Sequence, residues 1–369
     1  MDTIDPMVVP QAPLSWQPQP EPRRRRWPRW AVPVVVVVLL LLGAAQLNLP
    51  YYALAPGDAR QVNDLIRVPD DRGFPPQGRV LLSTVSLSQV NALQALRRWL
   101  DREIDVLPED QVLGTTRRDD FTKQNLQLMD DSKQSAVVVA LRRLGYQVAE
   151  HGKGALLVQI EEGSPASGRL AQGEVIVGVD GRPASLSQEV VSGIRSHKVG
   201  ESVRLDVVAV DGGTRVEEIV LAQRPGSAEG FLGVVLRTKE QKFDYPFEVV
   251  IDSGTIGGPS AGLAFTLGVI DGLSVGELTG GKRVAATGTI ELDGTVGDVG
   301  GVVQKTAAVR SAGADVFLVP AGEYDEAVAH AGRRLEIVKV STLDDAIAAL
   351  ARLGGDVSAL GRGPAGTTG

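Results

Sequence analysis

Residues 31–49 form an apolar run broken only by Pro33, Gln46 and Asn48, directly behind Arg23-Arg24-Arg25-Arg26-Trp27-Pro28-Arg29-Trp30. A stretch of this length and composition must be buried, and its 19 residues suffice to span a bilayer if the flanking residues snorkel. The arginines on its N-terminal side place that side in the cytoplasm, and Trp27 and Trp30 at one end with Tyr51 and Tyr52 at the other mark the two interfaces. Everything after Tyr52 is then expected outside the cytoplasm. Gly43-Ala44-Ala45 also fits the small-residue site of a cleavable signal peptide, so anchor and leader are both open, with the same direction of export. Before the arginines, residues 1–22 are rich in Pro and Gln without apolar periodicity, so residues 1–30 read as a disordered cytoplasmic tail.

An exported chain agrees with the absence of cysteine, which excludes disulfides, thiol catalysis and cysteine metal sites. The three histidines, His151, His197 and His330, lack metal-ligand spacing, and no metal or other cofactor is expected. The net charge is −7; five arginines against Asp2, Asp5 and Glu21 in the first 30 residues leave −9 for the rest. Such an acidic remainder is a poor partner for nucleic acid.

The chemistry concentrates in Gly257-Gly258-Pro259-Ser260-Ala261-Gly262 and, 45 positions after Ser260, Lys305. Glycines on both sides let backbone approach a substrate, and Pro259-Ser260 suits the start of a helix over residues 260–270, whose first N–H groups can stabilise an anion. Gly258, Pro259 and Ala261 are therefore candidate supports of an oxyanion site around Ser260. A lysine amine has an ordinary pKa near ~10.4, so to act as a base near neutrality it must lose about three pH units, about 4 kcal/mol, to desolvation or neighbouring charge. If residues 302–312 are helical, Val302, Ala308 and Val309 share the face of Lys305, which points it at apolar surface. Leu263, Ala264 and Leu267 do the same for the base of Ser260. A lone Gly-x-Ser-x-Gly is often an ordinary turn and a lone helical lysine a solvated charge; their conjunction on two apolar faces reads as a nucleophile and its base.

These residues resemble the proteolytic domain of the Lon family, serine peptidases with a Ser-Lys dyad. Gly-Pro-Ser-Ala-Gly maps Ser260 onto the nucleophile and Lys305 onto the catalytic lysine, while Thr287-Gly288-Thr289-Ile290 matches Thr-Gly-Glu-Ile. The likeness runs through Gly294, Val296, Gly297, Gly300 and Gly301 to Ala312-Gly313-Ala314 and Phe317-Leu318-Val319-Pro320, covering residues 230–353. By this resemblance Thr287 orients the lysine. Lon proteases commonly carry Asp before Gly-Pro-Ser, where this chain has Gly257, so that acid is missing or comes from elsewhere, for example Asp252. Residues 276–282 satisfy the first positions of a phosphate-binding loop, but Arg283 stands where the Mg²⁺-binding Ser/Thr belongs. Without an ATPase module, the activity implied is ATP-independent. The resemblance also allows a homo-oligomer.

Residues 144–224 resemble a PDZ domain of the bacterial protease-associated type, through Ser164-Pro165-Ala166, Leu170, Gly173-Glu174-Val175-Ile176 and Val179-Asp180-Gly181. Such domains add an extended peptide to a sheet edge, and Leu144-Gly145-Tyr146 is the candidate carboxylate-binding loop. Between membrane and PDZ, residues 78–85 alternate as a strand, residues 92–107 read as an amphipathic helix, and residues 50–140 are candidates for the first strands of the peptidase domain. Residues 343–353 close the chain as a helix, with a flexible tail over 354–369.

The reading is an α+β protein with a transmembrane helix, a β-rich PDZ-like domain and a Lon-type α/β proteolytic domain, cleaving extracytoplasmic polypeptides that are unfolded or have exposed C-termini. Two alternatives are a non-catalytic PDZ scaffold and an α/β-hydrolase-type esterase. The esterase would use Ser260 with His330, after Asp315 or Asp325 in the required order. Against it, a glycine-rich loop over residues 252–258 separates Ser260 from the strand-like residues 247–251, whereas a nucleophile elbow follows its strand at once.

Overall fold

The computed structural model describes residues 30–75, 78–99, 101–223, 229–358 and 360. The expected N-terminal tail before residue 30 and most of the expected C-terminal tail lie outside them.

Helix α1, Ala31–Gln46, tolerates Pro33 because it falls in the first turn, where no intrahelical partner is lost. The helix stops before Asn48, where strand β1, Asn48–Gln61, begins, so the end of the apolar run is strand. Among the described residues no helix is long and apolar enough to cross a membrane. Strand β2, Arg79–Asn91, pairs antiparallel with β1. The helix expected over 92–107 is shorter: α2, Ala92–Trp99, gives way to a turn and then to edge strand β3, Asp105–Pro108. Asp101 forms that turn by accepting from the Glu103 N–H, and pairing of residues 105–108 with Tyr51–Leu54 of β1 prevails over helix propensity.

Helix α3, Arg118–Arg143, carries Asp119 and Asp120 in its first turn and Arg142 and Arg143 in its last, as the helix dipole favours. Gly145, at φ +83°, ends it: the Tyr146 N–H reaches back to the Leu141 carbonyl and the Gly145 N–H to that of Arg142. Leu144 is buried in the core packed on the first sheet and the Tyr146 ring meets Phe247 edge-on at 5.0 Å. Leu144-Gly145-Tyr146, expected as a carboxylate-binding loop, is in this structure a helix stop.

The next segment folds around its own core. Strands β4 (Ala155–Ile160), β5 (Val175–Val179), β6 (Ser202–Val208) and β7 (Thr214–Val220) surround Leu157, Ile176, Val203 and Leu205, with helix α4, Ser187–Arg195, contributing Val190 and Ile194. Strand β8, Val234–Thr238, completes the antiparallel order β7-β6-β5-β4-β8.

The chain then returns to the first sheet. Helix α5, Gly262–Leu273, strand β9, Arg283–Ala286, helix α6, Val302–Ser311, strand β10, Val316–Pro320, helix α7, Tyr324–His330, strand β11, Glu336–Val340, and helix α8, Leu343–Arg352, follow in order. The sheet runs β11-β10-β9-β2-β1-β3, with β11, β10, β9 and β2 parallel. Residues 48–108 therefore belong to the same sheet as residues 283–340, and the second domain is inserted between its halves.

Alternation along the strands gives this sheet two buried faces. Val80, Leu82, Val284, Val316 and Leu318 face the core containing α3, α5 and α8, whereas Leu81, Ala285, Phe317 and Val319 face α6 and α7. Every residue of α5 is buried. A Cβ at Gly268 would stand 2.6 Å from Val62, so glycine lets this helix press against the turn that follows β1.

Candidate active site

Ser260 precedes α5 on one face of the sheet and Lys305 belongs to α6 on the other, so they can meet only past an edge or an end of the strands. Both line the same clefts beside Leu82 and Val85 of β2, level with the carboxyl end of β9, the side on which α/β sheets usually leave room for ligands. Thr287 directly follows β9, and its N–H extends the ladder to the Leu318 carbonyl at 3.1 Å.

The serine loop is held from both sides. From α3, the Asn125 carbonyl accepts the Gly258 N–H at 2.8 Å and the Ser132 hydroxyl donates to the Pro259 carbonyl at 3.0 Å. From the β9 side, the Ser260 carbonyl accepts the Gly288 N–H at 3.0 Å and the Thr287 hydroxyl at 3.3 Å. Gly258 at φ +88° adopts a conformation that a side chain would strain. The half-buried Ser260 is thus placed by its backbone, leaving its side chain to a reaction partner.

Lys305 is 2% exposed. Its backbone N–H bonds to the Gly301 carbonyl at 3.0 Å, which seats it in the first turn of α6. Burial pulls its amine down to about 8, against a smaller upward pull from the Glu323 carboxylate. A large fraction of the amine is therefore neutral in mildly alkaline water, as a general base requires. Among the described hydrogen bonds none joins it to Ser260.

Two clefts open on this pair, and both are lined by Thr255, Gly257, Ser260 and Lys305. One, of about 550 Å³, presents Asp58, Arg60, Ser83, Thr84 and Ser86. The other, of about 790 Å³, presents Leu54, Val85, Leu87, Leu107, Phe121 and Leu126. An extended chain laid across Ser260 would meet polar surface on one side and apolar surface on the other.

Several expected supports have different tasks. The Thr287 hydroxyl donates to the Ser260 carbonyl, so it holds the serine loop, and among the described hydrogen bonds none joins it to Lys305. The Gly258 N–H is engaged by Asn125 and Pro259 has none to give; among the described residues the N–H groups of Ser260 and Ala261 lack an acceptor and remain for an oxyanion. Asp252, offered as a replacement acid, turns back on the Gly254 N–H. His330 lies on α7, where its ring bonds to the Glu326 carbonyl, and it lines neither cleft. Among the described residues no group of three or more acids and histidines could hold a metal ion. The sequence reading missed Asn125, Ser132 and Glu323; in the sequence nothing sets Ser132 apart from Ser135 just ahead of the apolar Ala136–Leu141 turns of α3.

Residues 142–217 match the family model of the PDZ domain and residues 239–352 that of the Lon protease (S16) C-terminal proteolytic domain. Lon protease 2 of Bacillus subtilis (strain 168) is 34% identical over 124 residues, 33% of this chain and 22% of that protein. Lon protease 1 of Sorangium cellulosum (strain So ce56) is 35% identical over 99 residues, 26% of this chain and 12% of its own length. The chain thus spans about a fifth or less of these relatives. Among solved structures, the PDZ domain of an SdrC-like protein from Listeria innocua is 26% identical, covering 22% of this chain and 92% of that one at a TM-score of 0.21.

Proposed function

We propose that this chain, which joins a PDZ domain to a Lon-type (S16) proteolytic domain, is a serine endopeptidase that cleaves extracytoplasmic polypeptides without ATP. One observation carries the reading: a buried lysine, shifted toward its neutral form, shares both clefts with a serine at the start of a buried helix. Ser260 attacks the peptide carbonyl as its proton passes to the Lys305 amine, and the Ser260 and Ala261 N–H groups receive the oxyanion. The ammonium returns the proton to the leaving amine, and Lys305 then activates water against the acyl-enzyme. The apolar cleft takes a side chain of the substrate on one side of the scissile bond.

The PDZ domain would select substrate by strand addition. Of its two edge strands, β7 and β8, β8 lies beside α4, where the Ser187 N–H and hydroxyl bond to the Thr238 hydroxyl at 3.0 and 2.9 Å. Phe231-Leu232-Gly233 leads into that strand and is a second candidate, beside Leu144-Gly145-Tyr146, for the carboxylate-binding loop. Attachment to a membrane through residues 31–49 is supported by the exposed Val32, Val34, Val36 and Leu39 of α1 and by the arginines before it.

Hydrolysis of an unstructured protein without ATP, by wild type and by Ser260→Ala, Lys305→Ala and His330→Ala, tests the reading. Cleavage lost in the first two variants and kept in the third is expected. Loss in His330→Ala with survival in Lys305→Ala would establish the esterase-type alternative, and no cleavage by folded wild type would leave the chain a PDZ scaffold.

A further inference from the structure

Glu323 ends the short turn Ala321–Glu323 that follows β10, and it packs on the loop leading into the lysine helix. Asp298, Val299, Gly300 and Gly301 of that loop line the apolar cleft with Lys305. The Val299 N–H bonds to the Glu323 carboxylate, and a Cβ on the neighbouring Gly322 would stand 2.3 Å from the Asp298 carboxylate, so turn and loop are in tight contact. Among the described residues the buried Oε2 atom of Glu323 finds no hydrogen-bond partner. Burial raises the carboxyl above its ordinary range, against the lowering pulls of the Val299 N–H and of Lys305. Lys305, Asp298 and Glu326 are the charged groups that act on Glu323, and Glu323 raises the Lys305 amine; Asp58 and Arg60 in one cleft and Asp298 in the other also line the space around Lys305.

We propose that Glu323 is a positioning residue for Lys305, supplying the buried negative charge that receives the ammonium during the acylation step. This rests on the Ser-Lys reading above. When the Ser260 proton moves to Lys305, a positive charge forms in a dry site, and an unpaired ammonium there is costly. The orphan carboxylate oxygen is a ready acceptor: it draws the ammonium toward the loop and holds it until the proton passes to the leaving amine. Protons balance throughout, because Glu323 accepts a hydrogen bond and not a proton. The acid absent at Gly257 and not supplied by Asp252 is, on this account, contributed by the turn after β10.

The test uses the full chain, and it separates this inference from the peptidase reading. The rate at which cyanate carbamylates Lys305, followed by peptide mass spectrometry against pH, reports the neutral amine whether or not the protein cleaves anything. Removing a nearby negative charge disfavours the ammonium, so the midpoint should fall by about one pH unit in Glu323→Gln and stay near wild type in Glu323→Asp. In hydrolysis, Glu323→Gln should lower kcat about tenfold with little change in KM and move the acid limb of the pH profile down with the midpoint. An unmoved midpoint in a Glu323→Gln protein whose melting temperature matches wild type overturns the proposal, even if wild type is an active peptidase. A moved midpoint in a protein that cleaves nothing supports the placement of Glu323 and sinks the peptidase reading.

Discussion

Lys305 in the peptidase domain and Arg215 in the PDZ domain are both cations set against protein interior, and they are treated in opposite ways. Arg215 grips Glu174, itself 6% exposed, with two parallel bonds of 2.7 and 2.8 Å, adds Glu217 at 2.9 Å and donates to the Arg169 carbonyl at 3.1 Å. Both carboxylates are held below the usual range, first of all by hydrogen bonds from arginine, Arg215 for Glu174 and Arg169 for Glu217, and the guanidinium is held above its own. Lys305 has no hydrogen bond of its amine among those described and is pulled the other way by burial. A charge given all its partners ties elements together; one denied them becomes reactive. Arg215 closes β7 onto the loop before β5, while Lys305 waits on a substrate.

The sharpest way to break this contrast is to remove Lys305. Lys305→Met should reduce peptide hydrolysis by at least about a thousandfold, since nucleophile and base act as a unit. It should also stabilise the fold. The folded pKa of the lysine lies below its unfolded value, so its cost is complete below pH about 8 and disappears above the unfolded pKa near ~10.4. Chemical denaturation at pH 7 should therefore show a gain of about 2–3 kcal/mol that shrinks toward pH 10. Loss of stability in Lys305→Met at pH 7 would mean that the amine is paired after all.

Arg215→Met should do the reverse. Two carboxylates lose their partner, one of them buried, and the PDZ domain should lose about 2 kcal/mol, less than for a fully buried pair because the guanidinium is 34% exposed. Hydrolysis of a short peptide that does not need the PDZ domain should keep the wild-type kcat. A smaller effect is expected for Ser132→Ala, which frees the Pro259 carbonyl: about 1 kcal/mol of stability and a severalfold loss in kcat as the serine loop loosens. If Ser132→Ala cleaved as fast as wild type, α3 would be a support of the core only.

The sequence disclosed Ser260 and Lys305 because each interrupts an apolar helical face, and such interruptions are visible without coordinates. It disclosed β2 through the alternation in residues 78–85. What it hid depends on contacts between distant segments. Thr287 is singled out by its motif, but only the fold decides that its hydroxyl meets the Ser260 carbonyl. Leu144-Gly145-Tyr146 has the composition of a binding loop, yet Gly145 is needed to end a 26-residue helix. Asn125 acts through its backbone carbonyl, which no side-chain pattern reveals. Glu323 sits in a charged stretch that looks solvated until the turn folds its carboxylate inward.

The central claim is that a neutral Lys305 is the base that activates Ser260, and the pH dependence of kcat/KM for an unstructured peptide tests it most directly. The account predicts a rate that climbs about tenfold per pH unit on the acid side, bends near pH 8 and is flat above, with no residual limb in Lys305→Ala. A rate independent of pH between about 6 and 9, or a Lys305→Ala protein that keeps the wild-type profile, would contradict it.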